Sequence, residues 1–408
     1  MTIRARTVPL ATAPDLLSVA GADGWLFERD RAGLAARGTA FTIPVDLAKG
    51  SQTVGAALAA IETDDRVGLP GCGPVAIGAL PFDSGAPGVL VVPEVVVGRT
   101  ADGRGWVTTV GSDTDPEAML EALEPLPPQD PDGFALTSPV PHREWMDLVR
   151  LAVGDIDAGR FDKVVLAREI QVDANREIHV PTVLRRLRSL YPACTVVTMP
   201  LPGGGCFVAA SPELLVARHG ESVRSHPLAG TIPRSGDPTT DQALADGLMA
   251  SAKDRAEHDW VVRDVERGLA PWCASLEVPA APSIVSFRNV SHLATLLTGR
   301  LLPSAPSALE LAAGLHPTAA VGGTPRPEAL AWLAAHERLD RGPYAGPTGW
   351  VDAHGDGEWV VGIRSAVITD ARARLFAGVG VVEGSDPAAE LAETQFKLQA
   401  LLAAVVRP

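Results

Sequence analysis

An α+β fold, with long antiparallel strand pairing and helices outside, is predicted by three observations. Before about residue 124, apolar runs such as Val75–Leu80 and Val89–Val97 are short and strand-like. Further on, Val196–Met199 and Cys206–Ala210 flank Pro202-Gly203-Gly204-Gly205, a turn between two strands. Long amphipathic segments separate the later strands, which is the pattern of helices covering sheets.

Each element has its own signal. Trp145, Leu148, Ala152 and Ile156 recur at helical spacing, which predicts a helix over about 142–158. Lys163–Ala167 reads as a buried strand, and a long helix is predicted from about Asp241 to Ala270. Two β runs, about 359–369 and 374–382, are separated by the polar Thr369–Arg372 and read as a hairpin. Asp386-Pro387 opens a last helix, with Asp as cap and Pro in the first turn. The Pro- and acid-rich segment Glu124–Pro141 is the clearest break, an exposed connection.

With 408 residues the chain can form one large or two modest domains. The net charge of -14 and the absence of a basic stripe argue against a nucleic-acid partner. Cys72, Cys194, Cys206 and Cys273 form no CxxC and no zinc spacing, so they read as free thiols in a reducing, cytoplasmic setting. The N-terminus lacks the apolar core of a signal peptide, and no run of about 18 apolar residues predicts a membrane span.

Two helical segments carry acids three residues apart: Asp254 with Glu257, and Glu390 with Glu393. Each pair shares a helix face. Facing one another, they would offer the oxygen-rich shell that suits Mg²⁺. Each pair also reads as an ordinary solvated helix face. Glu390 could simply complement a helix dipole.

Three charges stand in apolar surroundings: Lys163, Glu213 and Arg364. A buried charge needs a partner or a task, because unpaired it costs several kcal/mol. Arg364 is suited to grip a carboxylate, or to an internal ion pair. Lys163 could act as a base only when neutral, which requires its pKa to fall by roughly 3 units. On pattern alone it reads first as a strand-end lysine reaching water.

These residues belong to a series of motifs: Phe161-Asp-Lys-Val-Val-Leu-Ala-Arg168, Ser211-Pro-Glu-Leu-Leu215, Pro227-Leu-Ala-Gly-Thr231, Lys253-Asp-Arg-Ala-Glu-His258 and Ser291-His-Leu293. Then come His316-Pro-Thr-Ala-Ala-Val-Gly-Gly-Thr-Pro325, Arg341-Gly-Pro-Tyr-Ala-Gly346, Gly362-Ile-Arg-Ser365, Gly378-Val-Gly-Val-Val382 and Glu390-Leu-Ala-Glu-Thr-Gln-Phe-Lys397. In this order they resemble the chorismate-binding family, which includes isochorismate synthase, salicylate synthase, anthranilate synthase component I and aminodeoxychorismate synthase. The match is dense over about 142–405. It is looser before that, where Gly78-Ala-Leu-Pro-Phe82 is its best piece.

The resemblance implies one large domain over 1–408: a looser part at 1–130 and a motif-bearing core at 142–405. Two packed, mostly antiparallel sheets with outer helices would form an anthranilate synthase component I-like fold, its active site between them. It implies Glu257 and Glu393 as direct Mg²⁺ ligands, with Asp254 and Glu390 assisting. The metal would meet the ring carboxylate of chorismate. Tyr344, Arg364, Lys397 and backbone near Gly380 would hold the enolpyruvyl carboxylate, and Thr231, His292 and Ala320 would line the pocket.

Ammonia-using members tend to have Gln where this chain has Lys163, and they need a glutamine amidotransferase, which is not expected here. Ala229 stands where some aminodeoxychorismate synthases carry a covalent Lys, and the Leu-Leu-Glu-Ser feedback motif is absent. Lys163 therefore implies water as nucleophile. Ala320-Val-Gly-Gly-Thr-Pro325 resembles isochorismate synthases rather than salicylate synthases. The expected chemistry is reversible and Mg²⁺-dependent, with neutral Lys163 deprotonating a water that attacks C2. Protonated Glu213 would donate to the departing C4 hydroxyl. Salicylate synthase is the alternative enzyme, and a non-catalytic chorismate-binding protein is the alternative from another class. A monomer is expected, feeding menaquinone, catechol siderophore or salicylate-derived pathways.

Overall fold

The computed structural model describes residues 3–48, 52–111 and 131–406. Its largest sheet runs, in spatial order, through strands Phe134–Thr137, Lys163–Ala174, Arg372–Val381, Ser365–Thr369, Cys206–Ser211, Thr195–Pro200, Trp25–Arg29, Ala32–Arg37, Val95–Arg99, Gly105–Val110, Arg4–Leu10 and Glu62–Asp65. Neighbours along it are antiparallel except Arg4–Leu10 with Glu62–Asp65. A second sheet runs Cys273–Glu277, Leu297–Leu301, Ser222–His226, Leu214–His219, Gly357–Val361, Pro347–Asp352, Val75–Ala79, Gly88–Val92 and Phe41–Val45. A small third sheet joins Leu228–Pro233, Val290–Ala294 and Ser283–Ser286. Both large sheets thus contain strands from before and after the break predicted at Glu124–Pro141. Of that segment, residues 124–130 lie outside the described ones.

Apolar alternation explains how the layers meet. In Lys163–Ala174, Val164 and Leu166 pack against Trp145, Val149 and Ile156 of the helix His142–Asp157. Lys163 and Val165, on the opposite face, line the space between the sheets. The helices Val180–Leu190 and Pro387–Val406 cover another stretch of the first sheet through Val183, Leu187, Leu398 and Leu401. Helix Ala308–Leu315 covers the second sheet beside fully buried Trp359. Phe27, Ile77, Phe207 and Val360 belong to one apolar cluster that draws on both large sheets. This is the α+β architecture with outer helices that the sequence predicts.

Two expectations fail. The helix predicted from Asp241 to Ala270 is two helices, Pro238–Ala250 and Ala252–Leu269. Ser251 adopts extended geometry between them, and its side chain accepts a hydrogen bond from the Asp254 amide at 3.2 Å. An N-cap serine inside a periodic run restarts the helix and re-aims its axis. The run 359–369 is also not one strand. Gly357–Val361 belongs to the second sheet, and only Ser365–Thr369 forms the hairpin with Arg372–Val381. Between them Arg364 adopts a left-handed conformation, φ 52°, in which the chain leaves one sheet for the other.

Candidate active site

The last helix opens as predicted, with Asp386 accepting from the amides of Ala388 and Ala389 at 3.1 and 2.8 Å. It carries Glu390, Glu393 and Lys397 toward a pocket that the Ala252–Leu269 helix approaches with Asp254 and Glu257. The floor is formed by Lys163 and Val165 of one strand and Phe376, Gly378 and Gly380 of its neighbour. Glu213, Thr231, His292, Ala320, Tyr344 and Arg364 complete the walls. Every residue that the sequence singled out for the site therefore lines this one pocket. Its empty space is about 950 Å³ with the open mouth included.

The pocket is electrostatically divided. Glu257 and Glu393, with Asp254 and Glu390, form an acidic group on the two helices. Burial pushes the Glu390 carboxyl up to about 7, and neighbouring Glu393 adds to the effect. Glu257 differs: burial acts to raise its carboxyl, but Lys163, Lys397 and Lys253 together hold it below the usual range. Lys163, with its side chain 1% exposed, donates to Glu257 Oε1 at 2.7 Å. Lys397 donates to Glu393 Oε1 at 2.6 Å and to the Gly378 carbonyl at 2.9 Å. Both candidate ligand carboxylates are therefore held by lysines. Among the described residues no three His, Cys, Asp or Glu side chains converge as a ready coordination shell.

The partnership with Glu257 qualifies one expectation. Lys163 is buried, as a base requires, but its amine is engaged by the Glu257 carboxylate. An amine free to act requires Glu257 to turn elsewhere.

A second group is cationic and rigid. Arg364 Nη2 lies 2.9 Å from His292 Nε2, and His292 Nδ1 lies 3.1 Å from both the Gly230 carbonyl and Thr231 Oγ1. A His292 that donates from Nδ1 to Gly230 and accepts at Nε2 from Arg364 must be neutral. Burial, reinforced by Arg364, indeed holds it well below the usual imidazole range. Among the described residues Arg364 thus has no carboxylate within ion-pair distance, which leaves the guanidinium available for an anion. The strained φ of Arg364 persists at the crossover between sheets, where such strain marks a functional constraint. Tyr344 stacks on Phe376, with ring centroids 5.2 Å apart.

Glu213 is 3% exposed, and burial pushes its carboxyl up to about 8, partly offset by Lys163. It is a protonated acid at neutral pH, facing the same pocket as Lys163.

The glycines of the floor are spatial requirements. A methyl group on Gly380 would lie 2.7 Å from both Glu257 Oε1 and Lys163 Cε, and one on Gly378 would lie 2.7 Å from the Tyr344 hydroxyl. Sequence reasoning assigned no role to Lys253, which also lines the mouth, or to the apolar wall of Leu228, Ile363 and Phe376. Lys253 stands inside a recognised motif, one position before Asp254, and that position was its only signal.

A family model described as "Chorismate binding enzyme" matches residues 49–406. The chain belongs to the chorismate-binding enzyme family. It is 37% identical over 339 residues to the isochorismate synthase DhbC of Bacillus subtilis, covering 81% of each chain. The solved structure of MenF, the menaquinone-specific isochorismate synthase of Escherichia coli, superposes with a TM-score of 0.83 at 26% identity, over 99% of this chain and 95% of that one. The anthranilate synthase component I of Streptococcus pneumoniae shares the fold, with a TM-score of 0.73 at 22% identity over 90% and 91% of the two chains.

Proposed function

We propose that this protein is an isochorismate synthase, an isomerase that adds water at C2 of chorismate and expels the C4 hydroxyl. The observation that carries the reading is the meeting of buried Lys163 with buried Glu213, whose carboxyl burial raises, in one pocket of a chorismate-binding enzyme. A base and an acid facing one small substrate are what a hydroxyl exchange requires. The relationship to DhbC and MenF supports the same assignment.

The donor set fits a magnesium ion. Four carboxylates on two helices of the pocket offer hard oxygen ligands, which would have to draw together around the ion. Glu257 and Glu393 would be the ligands, with Asp254 and Glu390 supporting them. Bound there, the ion supplies Lewis-acid polarisation of the ring carboxylate. With Glu257 turned toward such an ion, the Lys163 amine would be released to take a proton from water. Glu213 gives its proton to the leaving hydroxyl. Arg364, Lys397 and Tyr344 hold the enolpyruvyl carboxylate, with Arg364 oriented by His292 and Thr231. Gly380 leaves room for the base, and Ala320 and Val321 close the ring side.

The same reading makes the whole chain one catalytic unit. It acts in the cytoplasm as a monomer without an amidotransferase or a nucleic-acid partner. No described helix is long and apolar enough to cross a membrane.

The test is incubation of the purified protein with chorismate and Mg²⁺, with products separated by liquid chromatography. A new peak of unchanged mass, lost on chelation, is the expected result. Salicylate with pyruvate would make it a salicylate synthase, and binding without conversion would make it a non-catalytic chorismate-binding protein.

A further inference from the structure

The strand that carries Lys163 has a gap along one edge. Thr324 and Gly323 pair with Lys163 and Val164, and Phe134–Thr137 pairs with Gln171–Ala174. Among the described residues no strand lies between them on that side, where the Val165 amide donates to the Gly322 carbonyl at 3.0 Å. Unpaired peptide groups there would be costly. Side chains fill the gap instead. Arg341 Nη2 donates to the Val165 carbonyl at 2.7 Å. Glu337 Oε2 accepts from the Ala167 amide at 2.8 Å, and Trp145 Nε1 donates to the Ala167 carbonyl at 3.0 Å. Arg341 and Glu337 are themselves a buried, two-bonded pair at 2.5 and 2.9 Å, with side chains 4% and 6% exposed.

Arg341 reaches further. Its Nη1 donates to the Val321 carbonyl at 3.0 Å, in the loop that brings Ala320 to the pocket. Its guanidinium lies 4.1 Å over the Phe82 ring and 6.0 Å from the Tyr344 ring. One buried cation therefore ties together the Lys163 strand, the Ala320 loop and the approach to Tyr344. Neither Arg341 nor Glu337 itself lines the pocket.

We propose that Glu337 and Arg341 are positioning residues that stand in for a missing strand and fix the height of Lys163 in the pocket. A fixed amine matters because catalytic geometry tolerates little displacement, and a shift of about 1 Å can cost on the order of a hundredfold in rate. The proposal rests on the reading of Lys163 as the base.

The test compares Glu337→Leu with Glu337→Gln by kinetics and by amide deuterium exchange. Glu337→Gln keeps an oxygen acceptor for the Ala167 amide, and Glu337→Leu does not. The expected result for Glu337→Leu is a kcat lower by about tenfold or more, with KM within about twofold and faster exchange confined to about 163–170. Glu337→Gln should recover most of both losses. A Glu337→Leu variant with wild-type kcat, or one whose KM rises as kcat falls, overturns the proposal. Should Glu337→Leu fail to fold, Trp145→Phe removes the donor to the Ala167 carbonyl while keeping an aromatic ring in the core. It should lower kcat about threefold at constant KM, and an unchanged kcat counts against the brace. A wild-type protein that makes no isochorismate would defeat the functional reading alone, since exchange at 163–170 still decides whether the brace orders the strand.

Discussion

Lys163 Nζ lies 2.7 Å from Glu257 Oε1 at the floor of the pocket, so the candidate base and a candidate metal ligand hold one another. Neither can perform its task while that contact lasts. On the proposed reading a metal held by Glu257 would release Lys163, and that expectation sets the first two predictions.

Lys163→Ala should lower turnover by about 10²–10⁴-fold, the usual contribution of a positioned base. Chorismate affinity, read by calorimetry with Mg²⁺ present, should change little, because Arg364, Lys397 and Tyr344 remain. Wild-type turnover in this variant would remove the base assignment.

Glu257→Gln should raise the Mg²⁺ concentration for half-maximal rate by about tenfold or more, since a charged oxygen ligand is lost. Direct Mg²⁺ titration by calorimetry should show the same shift. An unchanged titration would place the metal elsewhere.

Glu213 supplies a pH prediction. Its carboxyl sits at about 8, so it holds the proton it must donate below that pH and loses it above. Turnover ascribed to this acid should fall as pH rises through about 8. Glu213→Gln should lose about a hundredfold or more and flatten that alkaline limb. A limb of unchanged position in the variant would belong to another group.

Gly380→Ala tests the space that the base requires. The added methyl meets the ends of Glu257 and Lys163, which can move, rather than backbone. The melting temperature should therefore change little while kcat falls by about tenfold or more. Full activity would mean that the pair is not the working arrangement.

His316 ties stability to acid. Burial lowers its imidazole from 6.5 to about 4, against a hydrogen bond with the Phe82 carbonyl at 2.8 Å. Between those values the unfolded chain binds a proton that the folded one does not. Stability should then fall as pH drops from about 6.5 to 4, by at most about 3 kcal/mol from this group. Denaturant midpoints across that range should show a shallower slope in His316→Gln.

The sequence was legible where a signal is local or belongs to a motif. The helix at 142–157, the strand opening at Lys163 and the cap at Asp386 follow from periodicity and turn chemistry. The order of motifs brought Lys163, Glu213, Arg364 and the two acid pairs into one site. Contacts between distant segments were not legible. Glu337 is an unremarkable acid after a helix, and only the fold shows that it bonds to Ala167. The switch of sheets at Arg364 was hidden because 359–369 is apolar on both sides of it, although Gly362 inside that run was the available hint. The break at Ser251 was missed because propensity on either side favours helix and only the cap separates them.

The central claim is that water, activated in this pocket, becomes the new ring hydroxyl. Turnover of chorismate in ¹⁸O-labelled water with Mg²⁺, followed by chromatography and mass spectrometry, tests it most directly. The account predicts isochorismate carrying one labelled oxygen at C2. Unlabelled isochorismate would mean that the hydroxyl migrates within the substrate, and the roles assigned to Lys163 and Glu213 would fall.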